Sequence, residues 1–206
     1  MTESTYHKII EDIRGIILKK AEENDWLWFY QLHQKEVLKC AKKLLKLYRA
    51  DKRIVIIACW LHDVSRYSVK NKLQLKASDK IHHIESAKFA KDFLGKYDLS
   101  KQEISNIYNC VIRHRNASPY KARSKEEKIV STADTISHFS SVFYMTHFKF
   151  HPDNSIDDLV RLQHKKLGRD WADLSMLPKA KSLVKKEYQM LRRLHKNYFR
   201  NEQLNK

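Results

Sequence analysis

Apolar residues recur every three or four positions along most of the chain, which is the spacing of one buried face on an amphipathic helix. The segment from Ile54 to Leu61 is apolar throughout, so we expect it to form a central, buried helix. Residues 65–80 are polar and irregular, and they are predicted to form a loop. The helices predicted in this way cover residues 5–22, 28–49, 52–64, 79–94, 101–113, 125–150, 155–175 and 179–203.

Two of these helices begin with the spacing of a capping box, Ser100 with Glu103 and Ser124 with Glu127. The chain has only three Gly and three Pro among its 206 residues, which is little punctuation for a strand-and-turn architecture. An all-α fold of helices with short connections is therefore predicted. The length fits one domain with a helical extension.

A formal net charge of +17 attracts anions of every kind, including nucleotides, nucleic acid and acidic proteins. The charge does not choose among them, and a merely lysine-rich surface is an equally good interpretation. Cys40, Cys59 and Cys110 lie in apolar helical patterns without metal-site spacing, which favours reduced thiols. Neither a signal peptide nor a membrane span is apparent, so we expect a cytoplasmic protein, whose oligomeric state the sequence leaves open.

His62 and Asp63 directly follow the central apolar segment. Polar groups at the edge of a core are costly to bury without partners, and a metal ion would satisfy both. Neighbours on a helix point about 100° apart, yet at a helix end both side chains can reach one ion. On spacing alone, a metal-binding pair and an ordinary polar helix end are equally good interpretations.

Two further polar residues are predicted to point inward from other helices. His33 lies four residues before Val37 on the apolar stripe of the second helix, where a neutral imidazole bound to a metal is easier to bury than a cation. Asp134 shares a helix face with Val130 and Ser137, and a buried carboxylate without a partner is costly. Both residues are therefore candidate metal ligands.

The order His33, then His62 and Asp63, then Asp134 resembles the H…HD…D signature of the HD-domain superfamily of metal-dependent phosphohydrolases. The three parts of the signature fall on three different predicted helices, as they do in that superfamily. The resemblance spans roughly residues 28–145.

The resemblance implies an HD-type helical bundle over residues 1–150, with residues 151–206 as a C-terminal helical extension that packs on the same domain. It implies one or two divalent ions per chain, and nitrogen and oxygen donors without a thiolate suit Mn, Fe, Co, Ni, Zn or Mg. It also implies hydrolysis of a nucleotide or another small phosphoester or phosphoanhydride by a metal-activated water, with His62 and Asp63 as the catalytic pair.

Two more histidines lie on apolar stripes, His83 four residues before Ala87 and His114 three residues after Val111. This arrangement is similar to small stand-alone bacterial HD hydrolases that act on nucleotides. Such histidines complete a second metal site, line the pocket or have only a structural role, and these three alternatives stay open. The neighbouring His82 has a less apolar face, so His83 is preferred, and the remaining histidines are interpreted as ordinary residues. The predicted ligands are His33, His62, Asp63, His83, His114 and Asp134.

Negative charge that builds on phosphorus requires nearby cations. Arg66 lies three residues beyond Asp63, Arg113 and Arg115 flank His114, and Lys70 lies in the predicted loop. These four cations are candidate phosphate-binding residues. Because the chain has 41 Lys and Arg, ordinary surface charge is the competing interpretation.

Two other functions compete with hydrolysis. The basic stretch 179–206 carries Tyr188, Tyr198 and Phe199 among its cations, which suits nucleic-acid binding beside a vestigial HD-like site. This alternative is not favoured, because every member of the signature is retained. A non-catalytic signalling or scaffold domain is the other alternative, and metal analysis of the purified protein would test it.

Overall fold

The protein is built from helices of very different lengths. The computed structural model describes residues 1–70 and 72–204, and these contain no strand, so the all-α prediction is confirmed. A π-helical segment, Tyr30–Gln34, joins the second helix to the third. The α-helices are α1 (Glu3–Glu23), α2 (Leu27–Phe29), α3 (Lys35–Leu47), α4 (Lys52–Leu61), α5 (Lys72–Leu94), α6 (Lys101–Ile112), α7 (Lys125–Ser140), α8 (His147–Phe150), α9 (Ile156–Asp173), α10 (Ala180–Leu183) and α11 (Lys185–Leu204).

Both predicted capping boxes are confirmed. The Ser100 hydroxyl accepts from the backbone N–H of Glu103, whose carboxylate accepts from the Ser100 N–H in return, at the start of α6. Ser124 and Glu127 make the same reciprocal pair at the start of α7. Each pair satisfies two backbone donors that a helix N-terminus otherwise leaves without partners.

The loop predicted over residues 65–80 is wrong in its second part. A 3-10 turn covers Val64–Ser68, and α5 then begins at Lys72, well before the predicted start at Asp79. The sequence KLQLKAS at the start of α5 consists mainly of strong helix formers, so propensity favours a helix there. Its two leucines are two positions apart, which gives no helical periodicity to detect.

The helix predicted to run to residue 150 ends at Ser140. The Ser141 hydroxyl donates to the carbonyl oxygen of Ser137 at 2.8 Å and accepts from the backbone N–H of Phe143 at 3.3 Å, and the Ser141 backbone is extended. Serine hydroxyls that bond to nearby backbone compete with the helical pattern. The chain therefore turns through the 3-10 segment Phe143–Thr146 into the short α8.

The core is centred on α4, which packs against α1, α3, α6 and α7. Burial of apolar surface is the main stabilising contribution to such a core. Cys40, Cys59 and Cys110 are free and buried, as predicted, and burial raises the pKa of the Cys40 thiol to about 12. The residues of α4 with no exposed surface are Val55, Ile57, Ala58, Cys59 and Leu61.

The C-terminal helices pack against the rest of the protein at α7. Both α9 and α11 contact α7 and each other, and the ring of Trp171 in α9 stacks on that of Tyr188 in α11 at a centroid distance of 4.0 Å. The helix predicted over 179–203 is divided into α10 and α11. The domain boundary at residue 150 stays a prediction. In the described part of the chain, no helix has the length and apolar character needed to cross a membrane.

Candidate metal centre

The C-terminal end of α4 places two polar side chains inside the protein. His62 continues the helical turn after Leu61, whereas Asp63 leaves it, and the two residues are 0% and 4% exposed. Nδ1 of His62 donates to the carbonyl oxygen of Cys59 at 2.8 Å. In the neutral ring, Nε2 therefore presents its lone pair to the interior.

His33 and Asp134 approach Nε2 of His62, and together with His62 they form a first group of donors. Nε2 of His33 lies 3.2 Å from Nε2 of His62 and 3.2 Å from Oδ1 of Asp134. Nε2 of His62 lies 3.8 Å from the same carboxylate oxygen. The three donor atoms all lie within 4.8 Å of one another, which is close enough to share one ion.

A second group of donors consists of Asp63, His82 and His114. Oδ1 of Asp63 lies 3.4 Å from Nε2 of His82 and 3.6 Å from Nε2 of His114. All three residues are buried, and their donor atoms also lie within 4.8 Å of one another. The structure thus brings α5 and α6 to the same place as α4.

Asp63 lies between the two groups. Its Oδ2 is 3.6 Å from Nε2 of His33 and 3.7 Å from Nε2 of His62, while its Oδ1 faces the second group. Oδ1 is buried and accepts no hydrogen bond. A buried carboxylate oxygen without a partner is costly, and a cation satisfies it. The described donors therefore fit one or two divalent ions.

Contacts behind the ligands orient the rings. His114 Nδ1 donates to the carbonyl oxygen of Val111 at 2.7 Å, and His33 Nδ1 lies 3.1 Å from the hydroxyl of Ser137. The amide of Gln34 donates to the same Cys59 carbonyl that accepts from His62, which ties the π-helical segment to α4. Contacts of this kind fix the tautomer of metal-binding histidines.

The comparison with known protein families agrees with this geometry. The family model described as the HD domain matches residues 30–138, which is more than half of the chain. The chain belongs to the HD domain family. Its members are metal-dependent hydrolases, and the two donor groups could hold divalent metal. No curated protein and no solved structure matches the chain.

The charges of the second donor group suit metal binding. Burial would raise the pKa of Asp63, but Arg66 and the neighbouring histidines outweigh burial and hold this pKa well below its usual range. Burial lowers the pKa of His114 to about 4 and, together with Arg66, holds that of His82 well below its ordinary value. The carboxylate is therefore ionised and these two rings are neutral, as metal ligands must be.

Of the four cations predicted to bind phosphate, Arg66 lies nearest the donors. It is buried, its Nε is 3.3 Å from Oδ2 of Asp63, and its Nη2 donates to Asp79 at 2.9 Å. Arg115 donates to the backbone carbonyl of Asp79 at 2.7 Å, so it lies beside Arg66.

The other two predicted cations make contacts elsewhere or face solvent. Arg113 donates to the carbonyl oxygen of Lys121 at 2.8 Å, and its Nε lies 3.7 Å from Glu127. Lys70 is exposed, and its backbone N–H donates to Gln74 at 2.8 Å.

The structure places His82, and not the preferred His83, in the second group. His83 is partly buried, and its ring meets that of Tyr120 edge-on at 5.5 Å. The helix face that contains His82 is buried in the protein. It includes Ser86, so its sequence is less apolar than that of a typical buried face. The Ser86 hydroxyl lies 3.0 Å from that of Ser65, so its polarity is satisfied inside the protein.

The sequence-based interpretation also treated His138 as an ordinary residue. It lies one helical turn after Asp134, and its Nε2 is 3.5 Å from Oδ1 of that carboxylate. The signal that could have identified it was the spacing of four residues from a predicted ligand on the same helix.

Proposed function

We propose that the protein is a metal-dependent phosphohydrolase that acts on a nucleotide or another small phosphoester or phosphoanhydride. The observation that carries the proposal is the position of Asp63, whose two oxygens face two separate donor groups. Membership of the HD domain family supports the class of reaction.

The proposed ligands of two ions per chain are the members of the two donor groups, and Asp63, a member of the second group, is shared between them. Four imidazoles among six donors favour Mn, Fe, Co, Ni or Zn over Mg, which prefers oxygen ligands. A bound ion of this kind supplies Lewis acidity, which lowers the pKa of water and polarises a phosphoryl oxygen. The proposed ligands are His33, His62, Asp63, His82, His114 and Asp134.

The protein's own cations have a separate task in this proposal. Arg66 is held next to Asp63 by its contact with Asp79, so its guanidinium is fixed beside the donors before substrate arrives. Preorganised positive charge stabilises the charge that develops on a transferred phosphoryl group. Arg115 is exposed and contacts the same segment, which suits it to a more peripheral phosphate of a nucleotide.

The test is a screen of nucleotides and simple phosphoesters with protein reloaded separately with each divalent metal. We expect hydrolysis by the wild-type protein, and a loss of about 1000-fold or more in Asp63→Asn, since that variant removes the charge shared by both groups. Asp92→Asn, which changes an exposed carboxylate near the end of α5, is the matched control and should keep full activity. Equal activity in the wild type and Asp63→Asn would contradict the proposal.

A basic groove favours a second candidate function, binding of nucleic acid. The groove encloses about 530 Å³ between α1 and α3, and its lining includes six cations and no carboxylate. Charge reversal at Lys39 and Lys42 should weaken binding of single-stranded RNA and flatten its salt dependence, because fewer counterions are released. Unchanged binding would exclude the groove. The lining residues are Ile10, Arg14, Tyr30, Lys35, Leu38, Lys39, Lys42, Lys43, Lys46 and Trp60.

A further inference from the structure

The carboxylate of Asp134 has a buried neighbour that does not belong to either donor group. Nε2 of His138 lies 3.5 Å from Oδ1 of Asp134, which is the same oxygen that faces His33 at 3.2 Å. His138 is 8% exposed. A histidine this close to a proposed ligand can fix the direction in which the carboxylate points.

Two aromatic contacts hold the ring of His138 in place. The ring stacks on that of Phe143 at a centroid distance of 4.2 Å and on that of His33 at 5.5 Å, with an interplanar angle of only 13° for the second pair. His138 therefore has little freedom to rotate. Because it packs on one proposed ligand and faces another, its position affects both.

The other side of the His138 ring meets residues of α9. Nδ1 lies 3.0 Å from Oδ2 of Asp170 and 3.0 Å from Nζ of Lys166. Lys166 also donates to Asp170 at 2.7 Å, and the hydroxyl of Tyr144 donates to the same oxygen at 2.9 Å. Burial would raise the pKa of Asp170, but Lys166 and His138 outweigh burial and lower it, so this carboxylate is ionised.

The direction of the hydrogen bonds follows from the atoms involved. A carboxylate oxygen accepts, so the 3.5 Å contact with Oδ1 of Asp134 is favourable when Nε2 of His138 carries a proton and donates. The neutral ring does so when Nδ1 accepts from Lys166, and the cationic ring does so while Nδ1 donates to Asp170.

We propose that His138 and Asp170 are positioning residues that hold the Asp134 carboxylate in place for the ion of the first group. This inference rests on the proposed function. Asp170 and Lys166 lie outside residues 30–138, which match the HD domain. A helix beyond the matched region, α9, thus completes the surroundings of a ligand within it. Partners of this kind behind metal ligands are typically worth 10- to 100-fold in metal affinity.

The experiment measures Mn²⁺ binding to metal-free protein by calorimetry, in the absence of substrate. Asp170→Asn and His138→Leu should weaken one of the two ions about 10- to 100-fold and leave the other ion unchanged. His138→Gln keeps an N–H donor near the position of Nε2, so it should stay within a few-fold of the wild type. Asp173→Asn is the matched control, because this carboxylate lies on the same helix and contacts Asn116 instead.

The retained ion and the far-ultraviolet circular dichroism report whether the fold is intact. If Asp170→Asn fails to fold, the contrast between His138→Leu and His138→Gln decides the question, since both keep a side chain of similar size. Wild-type affinity for both ions in His138→Leu would overturn the inference. Wild-type protein that binds two ions but hydrolyses nothing would contradict the proposed function alone, and wild-type protein that binds no ion would overturn both.

Discussion

The two donor groups share Asp63 but have different surroundings. The first group is built from the π-helical segment, the end of α4 and α7, and its histidines are fixed by Cys59 and Ser137 within the central helices. The second group lies where α5 meets α6, and Arg66 extends across it, with Nη2 at 3.1 Å from Nδ1 of His82.

This difference has a consequence for metal affinity. A buried guanidinium repels a divalent ion, and this repulsion is only weakly screened inside a protein. In the first group the ring of His62 is held by a neutral backbone carbonyl instead. We therefore expect the first group to bind its ion more tightly than the second, and the two ions to be lost in turn when chelator is added.

The largest expected contrast is between His62→Ala and His114→Ala. His62→Ala should abolish tight metal binding at the first group and lower kcat/KM by about 1000-fold, or about 4 kcal/mol. His114→Ala should remove only the weaker ion, and activity should recover in part at high metal concentration. Metal content after dialysis and kcat/KM across a metal titration measure both effects. The same loss in both variants would show that the groups act as one unit.

The next contrast is between two adjacent histidines. His82→Ala should lower the metal content by one ion per chain, because His82 belongs to the second group, whereas His83→Ala should leave it at two. The two variants have the same composition, so elemental analysis of metal-replete protein compares them directly. A loss of metal in His83→Ala with none in His82→Ala would restore the sequence-based choice and contradict the structure.

The pair His82 and His83 shows which parts of the site could be predicted from the sequence and which could not. His62 and Asp63 could be found because a helix that is apolar throughout must end somewhere, and polar residues at that end need partners. His82 could not be chosen over His83 from periodicity, because its face includes Ser86. The buried hydroxyl of Ser86 has a hydrogen-bond partner in Ser65, which is distant in the sequence.

In the fold, features set by local contacts could be predicted from the sequence, whereas helix ends without a local signal could not. Capping boxes such as Ser124 with Glu127 depend on local contacts, and both predicted ones are present. The end of α7 at Ser140 and the start of α5 at Lys72 were missed, since no apolar period marks either of them. The contact between His138 and Asp170 joins residues 32 positions apart in the sequence, and no pattern within one helix reports it.

A smaller effect tests the reason for the difference between the groups. Arg66→Gln removes the positive charge near the second group while keeping hydrogen-bond donors, so the second ion should bind roughly tenfold more tightly, or by about 1.4 kcal/mol. Activity should fall at the same time, because the cation proposed to stabilise the phosphoryl group is gone. Arg113→Gln is the matched control, as its guanidinium contacts Lys121 and Glu127 instead. Weaker binding of the second ion in Arg66→Gln would mean that Arg66 supports the ligands.

The smallest expected effects come from changes in the N-terminal caps of α7 and α6. Ser124→Ala removes the cap of α7, which carries Asp134, and Ser100→Ala removes the cap of α6, which precedes His114. Each change should lower the free energy of unfolding by about 1 kcal/mol, measured by urea denaturation of the metal-free protein. Saturating metal should raise the free energy of unfolding by the same amount in the wild type and in both variants, because neither serine contacts a proposed ligand and the affinity for metal is therefore unchanged. A smaller gain in Ser124→Ala than in Ser100→Ala would show that the cap of α7 also fixes Asp134 for the ion of the first group.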